Sequence, residues 1–260
     1  MYPVIHLGPL TLTGYWLMTV LGLLACTAYL LTVNRSGRLQ PLEGQHLANL
    51  CFLSILSVFA GGKIMGVLVN LPDVIQHWTE YRTDFSALWT ALTSGRAFYG
   101  GFVLLIVVFI CYVRKYSLPA DTVCALFVPV TALFMFFGRL GCFLGGCCYG
   151  IPIAHGIVFP EGSLAPSGVP LFPSQLAEAA AQLLLFLSLA ILERRLEQKR
   201  SLISIYIACY SVIRFVLEFW RGDAQRGIWL LSSSQWVSLV LLLGVCVHYA
   251  LVIKGRRTAK

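Results

Sequence analysis

GYWLMTVLGLLACTAYLLTV, residues 14–33, runs for twenty residues without one charged side chain. As a helix rising 1.5 Å per residue it reaches about 30 Å, the thickness of a bilayer's hydrocarbon core. Working outward, similar charge-poor stretches predict spans at about 46–69, 97–113, 122–140, 174–193, 201–219 and 232–253. The composition agrees. The 260 residues are 58% hydrophobic and 12% charged, with a mean hydropathy of +0.80, where a soluble domain carries roughly a quarter charged residues. These values exclude a disordered chain, a disulfide-stapled secreted module and a nucleic-acid binder. Residues 1–13 have neither a basic segment nor a small-residue cleavage site, so a removed signal peptide is not expected. The expected fold is all-α: one integral membrane domain over residues 1–260 with seven transmembrane helices.

The net charge of +8 is explained by where the basic residues fall. Arg35, Arg38, Arg114, Lys115, Arg194, Arg195, Lys199, Arg200, Lys254, Arg256, Arg257 and Lys260 lie in loops of one side or at the carboxyl end. Only Arg82, Arg96, Arg221 and Arg226 lie on the other. Positive residues collect in the cytoplasm, so the amino terminus is expected outside and the carboxyl terminus inside. In the second loop Trp78, Tyr81, Phe85 and Trp89 recur at helical spacing, which suits an interfacial segment at about 74–93; an anchoring aromatic belt is the plainer alternative. The fourth loop, about 141–172, holds seven Gly, four Pro and no Lys or Arg, and an irregular structure is expected there.

Charged groups within a bilayer cost about 2.5 kcal/mol or more near its centre, so the exceptions carry information. Tyr15, Lys63, Tyr99, Arg139, Glu178, Arg214 and Glu218 all fall in the outer half of the predicted spans. Arg214, Glu218 and Arg221 share one helix face at four- and three-residue spacing. Each has a structural alternative: snorkelling for Arg139 and Lys63, an ion pair for Arg214 with Glu218, a helix start for Glu178 within PSQLAE, and belt aromatics for Tyr15 and Tyr99. Convergence at one depth favours a site. Guanidinium groups match phosphate oxygens in pairs, and the phosphate abundant in that leaflet is a phospholipid headgroup. The glycines of Gly138–Gly150 would let backbone amides approach the anion closely. A transporter would place charges along a path through the whole bilayer, whereas these stop halfway.

GRLGCFLGGCCYG (Gly138–Gly150) resembles the signature of the bacterial prolipoprotein diacylglyceryl transferases, Gly-Arg-x-Gly-Asn-Phe-x-Asn-x-Glu. YWLM (Tyr15–Met18), AFYGG (Ala97–Gly101), FPSQLAEA (Phe172–Ala179) and RFVLEFWRGD (Arg214–Asp223) are similar to that family in order and spacing, over essentially the whole chain. The resemblance implies a transferase of the bacterial cytoplasmic (inner) membrane with its site facing the outer leaflet. It would move a diacylglyceryl group from phosphatidylglycerol to the lipobox cysteine of a preprolipoprotein, releasing glycerol phosphate. It implies no cofactor and no metal. Carried over by motif, Arg139, Arg214, Glu218 and Tyr99 are the catalytic candidates. Tyr15, Gly100, Gly101, Gly138, Gly141, Ser174, Gln175, Glu178 and Arg221 are the substrate-binding ones.

The departures are specific. Tyr99 stands where the family commonly has His, and with an unperturbed pKa near 10 Tyr is a poorer base at neutral pH. Cys142, Gly145 and Cys147 replace the signature's Asn, Asn and Glu. A different acceptor or donor on the same scaffold, or a non-catalytic phospholipid binder, are the competing functions. Six of the nine cysteines fall in apolar spans, where a thiol is a small hydrophobe. Cys142, Cys147 and Cys148 lie together at the outer face, where packing, a disulfide, a catalytic thiol and a metal site with His155 are the open readings. Cys-x4-Cys-Cys is not a standard zinc spacing.

Overall fold

The computed structural model describes residues 4–7, 10–37, 39–81, 84, 86, 88, 89, 98–222, 227, 228 and 231–258. Arg38, Arg82, Phe85, Arg96, Ala97, Asp223, Arg226 and Lys260, used in the sequence reading, lie outside the described residues. Helices dominate: α1 (Gly14–Asn34), α2 (Gly44–Gln76), α3 (Trp78–Tyr81), α4 (Phe98–Lys115), α5 (Ala120–Gly145), α6 (Ser174–Arg195), α7 (Ser201–Leu217) and α8 (Ser233–Thr258). Among the described residues, six are long and apolar enough to cross a membrane: Gly14–Asn34, Gly44–Pro72, Ala120–Gly145, Ser174–Arg195, Ser201–Trp220 and Ser233–Val252. These match six of the seven expected spans. The remaining one, expected at 97–113, coincides with the 18-residue α4.

Among the described residues, three short antiparallel ribbons lie before α1, between α5 and α6 and before α8, and the sequence reading had none of them. Strands β1 (Val4–Leu7) and β2 (Leu10–Thr13) pair Val4 with Thr13 and Leu7 with Leu10. Thr13 then caps α1, its hydroxyl accepting from the Trp16 amide at 3.4 Å. The glycine-rich loop expected to be irregular contains β3 (Pro152–Val158) and β4 (Pro170–Leu171), closed over a small core of Phe159, Ala165 and Leu171. Strands β5 (Gly227–Ile228) and β6 (Leu231–Ser232) precede α8. A reciprocal capping box starts that helix: the Ser232 amide donates to Gln235 Oε1 at 2.9 Å, and the Gln235 amide to Ser232 Oγ at 3.2 Å.

The described helices group into two compact units, residues 1–39 with 121–260, and residues 40–120. In the second unit α4 packs along α2 at backbone contact. A Cβ on Gly100 would lie 2.3 Å from the Gly61 carbonyl oxygen, so only glycine permits this approach. Further along the same pair, Tyr112 OH meets His46 Nδ1 and accepts from Asn49 Nδ2, each at 3.0 Å. Trp78 and Trp89 of the expected interfacial segment are exposed.

In the first unit α5, α6 and α7 bury a seam of Ala132, Leu185, Leu189, Leu202 and Tyr206. Helix α1 joins them through the Cys26 thiol, 3.8 Å from the Val130 carbonyl, and an edge-on contact of Tyr29 with Phe186. Beyond one end of this apolar seam lies the polar cluster described next.

Candidate active site

Glu178 sits in the second turn of α6 and is 1% exposed. An ionised carboxylate there requires charge partners, and three arginines supply them. Arg139 of α5 places Nη2 2.8 Å from Glu178 Oε1. Arg214, in the last turn of α7, places Nη1 3.4 Å from Glu178 Oε2. Arg221, just past the 3-10 turn Glu218–Trp220, has Nη1 3.9 Å from the same oxygen. Arg214 is further held by Glu218 Oε2 at 2.8 Å, one helical turn on, and donates through Nη2 to Ser234 Oγ at 3.2 Å. Ser234 belongs to the first turn of α8, so the capping box that fixes that turn also fixes this guanidinium.

The sequence reading brought Arg139 and Arg214 to one place and gave Glu218 the task of orienting Arg214; both arginines touch Glu178, and Glu218 pairs with Arg214. It gave Glu178 a substrate-binding role; in the structure all three arginines meet on Glu178. Ser234 went unnoticed. The Ser-Ser-Ser-Gln run at 232–235 is a helix-start signal that could have placed it.

The other sequence candidates fall in distinct positions. Ser174 and Gln175, both buried, donate to the carbonyls of Cys148 (2.7 Å) and Cys147 (2.8 Å), pinning the loop after α5 to the start of α6. That loop is also stitched to the end of α7: the Ile151 amide donates to the Trp220 carbonyl at 3.0 Å and the Gly222 amide to the Tyr149 carbonyl at 3.0 Å. These bonds hold Arg221 against the cluster. Gly141 makes room for Tyr15 of α1, since a Cβ there would lie 3.0 Å from Tyr15 Cδ2. Gly138 faces open space. Tyr99, Gly100 and Gly101 belong to the 40–120 unit, Gly100 and Gly101 at the contact of α4 with α2; the side chain of Tyr99 lies outside the described residues. Lys63, in the same unit, is exposed.

Polar atoms around the cluster are left to satisfy. Gln175 Oε1, both polar atoms of Gln182 and Ser211 Oγ are buried without a hydrogen-bond partner among the described residues. An unsatisfied buried polar group costs about 1–3 kcal/mol, so these are atoms that a ligand's hydroxyls or phosphate oxygens would satisfy. Three guanidiniums and two carboxylates thus meet in one cluster. Beside them the Cys148 thiol is drawn below its usual range by hydrogen bonds from Cys142 and then Cys147, with burial opposing and the charges of Arg221 and Arg139 assisting.

A family model described as prolipoprotein diacylglyceryl transferase matches residues 3–251. The phosphatidylglycerol–prolipoprotein diacylglyceryl transferase of Clostridium tetani (strain Massachusetts / E88) is 31% identical over 251 residues, covering 95% of this chain and 96% of that protein. The Clostridium perfringens (strain 13 / Type A) protein named phosphatidylglycerol–prolipoprotein diacylglyceryl transferase 2 is 32% identical over 255 residues, covering 95% and 94%. The corresponding transferase of Bordetella avium (strain 197N) is 30% identical over 264 residues, covering 98% and 95%. With the family matched from end to end around this arginine-lined cluster, the chain belongs to the prolipoprotein diacylglyceryl transferase family.

Proposed function

We propose that this protein transfers a diacylglyceryl group from phosphatidylglycerol to the lipobox cysteine thiol of a preprolipoprotein, with release of glycerol phosphate. The observation that carries this reading is the convergence of Arg139, Arg214 and Arg221 on the buried Glu178. Guanidiniums gathered in low dielectric bind phosphate oxygens through short charge-assisted hydrogen bonds, and a phosphodiester anion offers those oxygens. As the carbon–oxygen bond breaks, the departing phosphate gains a second charge. Arg139 and Arg214, held in place by Glu178 and Glu218, are set to stabilise it without reorganising. Tyr15, beside Gly141, and the unsatisfied Gln175 and Gln182 then serve the headgroup. Tyr99 is read as part of the acceptor side, and Tyr99→Phe tests whether its hydroxyl takes part in proton transfer.

The same reading places seven spans in the bacterial cytoplasmic membrane, with the amino terminus and the cluster on the outer side and the carboxyl terminus in the cytoplasm. The asymmetry of Lys and Arg supports it. A reporter fused after Lys260 should be active only in the cytoplasm. Cys142 and Cys147 in place of Asn and Glu favour, as a second reading, a paralogue using the same donor with another acceptor.

Purified protein mixed with phosphatidylglycerol and a lipobox peptide should release glycerol phosphate, and Arg139→Ala should lower that release by about 10²–10³. Lipid binding with no product for any thiol peptide would overturn the transferase reading in favour of a lipid binder.

A further inference from the structure

Cys142, Cys147 and Cys148 are free thiols whose sulfur atoms all lie within 4.8 Å of one another. Their convergence is built by the backbone. Helix α5 ends in a Schellman cap: Gly146, at φ +73°, donates to the Phe143 carbonyl at 3.3 Å, and Cys147 donates to the Cys142 carbonyl at 3.1 Å. This cap folds the chain back so that Cys147 returns over the helix turn carrying Cys142, with its Sγ 3.7 Å from the Cys142 carbonyl oxygen. Cys148, itself at φ +59°, turns the chain again. The Ser174 and Gln175 side chains then clamp the carbonyls of Cys148 and Cys147. A left-handed conformation in a residue other than glycine costs about 1–2 kcal/mol, so the surrounding bonds hold this arrangement against its own preference.

Three thiols so placed form a ligand set. Zinc–sulfur bonds of about 2.3 Å at tetrahedral angles put sulfurs about 3.8 Å apart, which rotation about the side-chain bonds reaches from the observed spacing. Thiolates select soft or borderline cations over the hard ones that oxygen ligands hold. Three protein ligands leave a zinc ion one open position, as in catalytic rather than structural sites. The ion with three thiolates carries one negative charge. The site has one more property relevant to the proposed reaction: the loop holding Cys147 and Cys148 is hydrogen-bonded to the segment that carries Arg221, the Ile151 amide donating to the Trp220 carbonyl and the Gly222 amide to the Tyr149 carbonyl.

We propose that Cys142, Cys147 and Cys148 bind one Zn²⁺ and that its fourth position takes the acceptor cysteine as a thiolate. The second half rests on the proposed transferase reading. On coordination the acceptor thiol loses its proton to solvent. Its sulfur then forms the bond to the glyceryl carbon. The carbon–oxygen bond breaks with its electron pair leaving on glycerol phosphate, and nothing is oxidised or reduced. This supplies the thiolate in a chain that has Tyr99 where the resemblance has a His. It departs from the sequence reading, which assigned no metal, because the spacing Cys-x4-Cys-Cys becomes a triangle only through the cap at Gly146.

The test uses the full chain, isolated anaerobically, stripped with a chelator and titrated with Co²⁺. One ion per chain, with thiolate-to-cobalt charge-transfer absorption that Zn²⁺ abolishes, is expected; Cys142→Ser and Cys147→Ser should each lose it. A lipobox peptide should then intensify the band as a fourth thiolate joins, and its Cys→Ser version should not. A thiol with pKa near 8.5 is only about 3% ionised at pH 7, so removing the metal should slow transfer about thirtyfold, with recovery on adding Zn²⁺. No charge-transfer band, a disulfide among the three in the anaerobic protein, or a band indifferent to the peptide would overturn the proposal. Undiminished transfer by metal-free protein would overturn it while leaving the transferase standing. A peptide-sensitive band without any transfer would support the metal site and remove the transferase reading instead.

Discussion

Helices α5, α6 and α7 do two different things within a few turns of one another. Around Ala132, Leu185, Leu189 and Leu202 they pack an apolar seam; around Arg139, Glu178 and Arg214 they bury a charge network. The seam is held by dispersion and close packing, which tolerate exchange among hydrophobes of similar volume. The network is held by one carboxylate shared among three guanidiniums, and no apolar side chain can stand in for any member without stranding the others. The same backbone scaffold thus separates a replaceable region from an irreplaceable one.

Breaking the hub should have the largest effect. Glu178→Ala removes the carboxylate on which Arg139, Arg214 and Arg221 meet, and should cost about 3–5 kcal/mol of stability. Thermal unfolding in detergent reads this, and the surviving folded protein should release little or no glycerol phosphate. Retained stability and turnover would remove the distinction between the two regions. Leu189→Ala, in the apolar seam, should cost about 2–5 kcal/mol through lost burial and a cavity, but turnover per folded molecule should stay at the wild-type value. A fall in turnover matching that of a network variant would mean the seam also shapes the site. Gly146→Ala should destabilise by about 1–2 kcal/mol, because alanine meets the left-handed conformation and its methyl would lie 2.8 Å from Ser163 Cβ. Ser234→Ala should cost about 1.5 kcal/mol, since its hydroxyl accepts from the charged Arg214. It should appear as a weaker KM for phosphatidylglycerol if Ser234 only orients Arg214, and unchanged kinetics would exclude that orienting role.

Much of the helical framework was legible from residue order. Hydropathy is a local property, so six apolar helices could be read directly, and the energetic cost of charge in an apolar segment singled out Arg139, Glu178, Arg214 and Glu218. The ribbons at 4–13 and 152–171 were not legible, since strands of two to seven residues leave too little periodicity among glycines and prolines. The expected roles of Gly100 and Gly101 illustrate another limit: glycine pairs serve equally for ligand approach and for helix contact, and here Gly100 meets the Gly61 backbone.

What the sequence by itself determined is therefore which residues must find partners, because burying a charge has a cost whatever the fold. Which partners they find was decided only in three dimensions. Glu178 became a hub through the rotation of α5, α6 and α7 about their own axes. Three cysteines became a triangle through one left-handed glycine and two side chains reaching from the start of another helix. Both outcomes depend on contacts between residues 26 to 43 positions apart, and a pattern read along the chain carries no information on such distances.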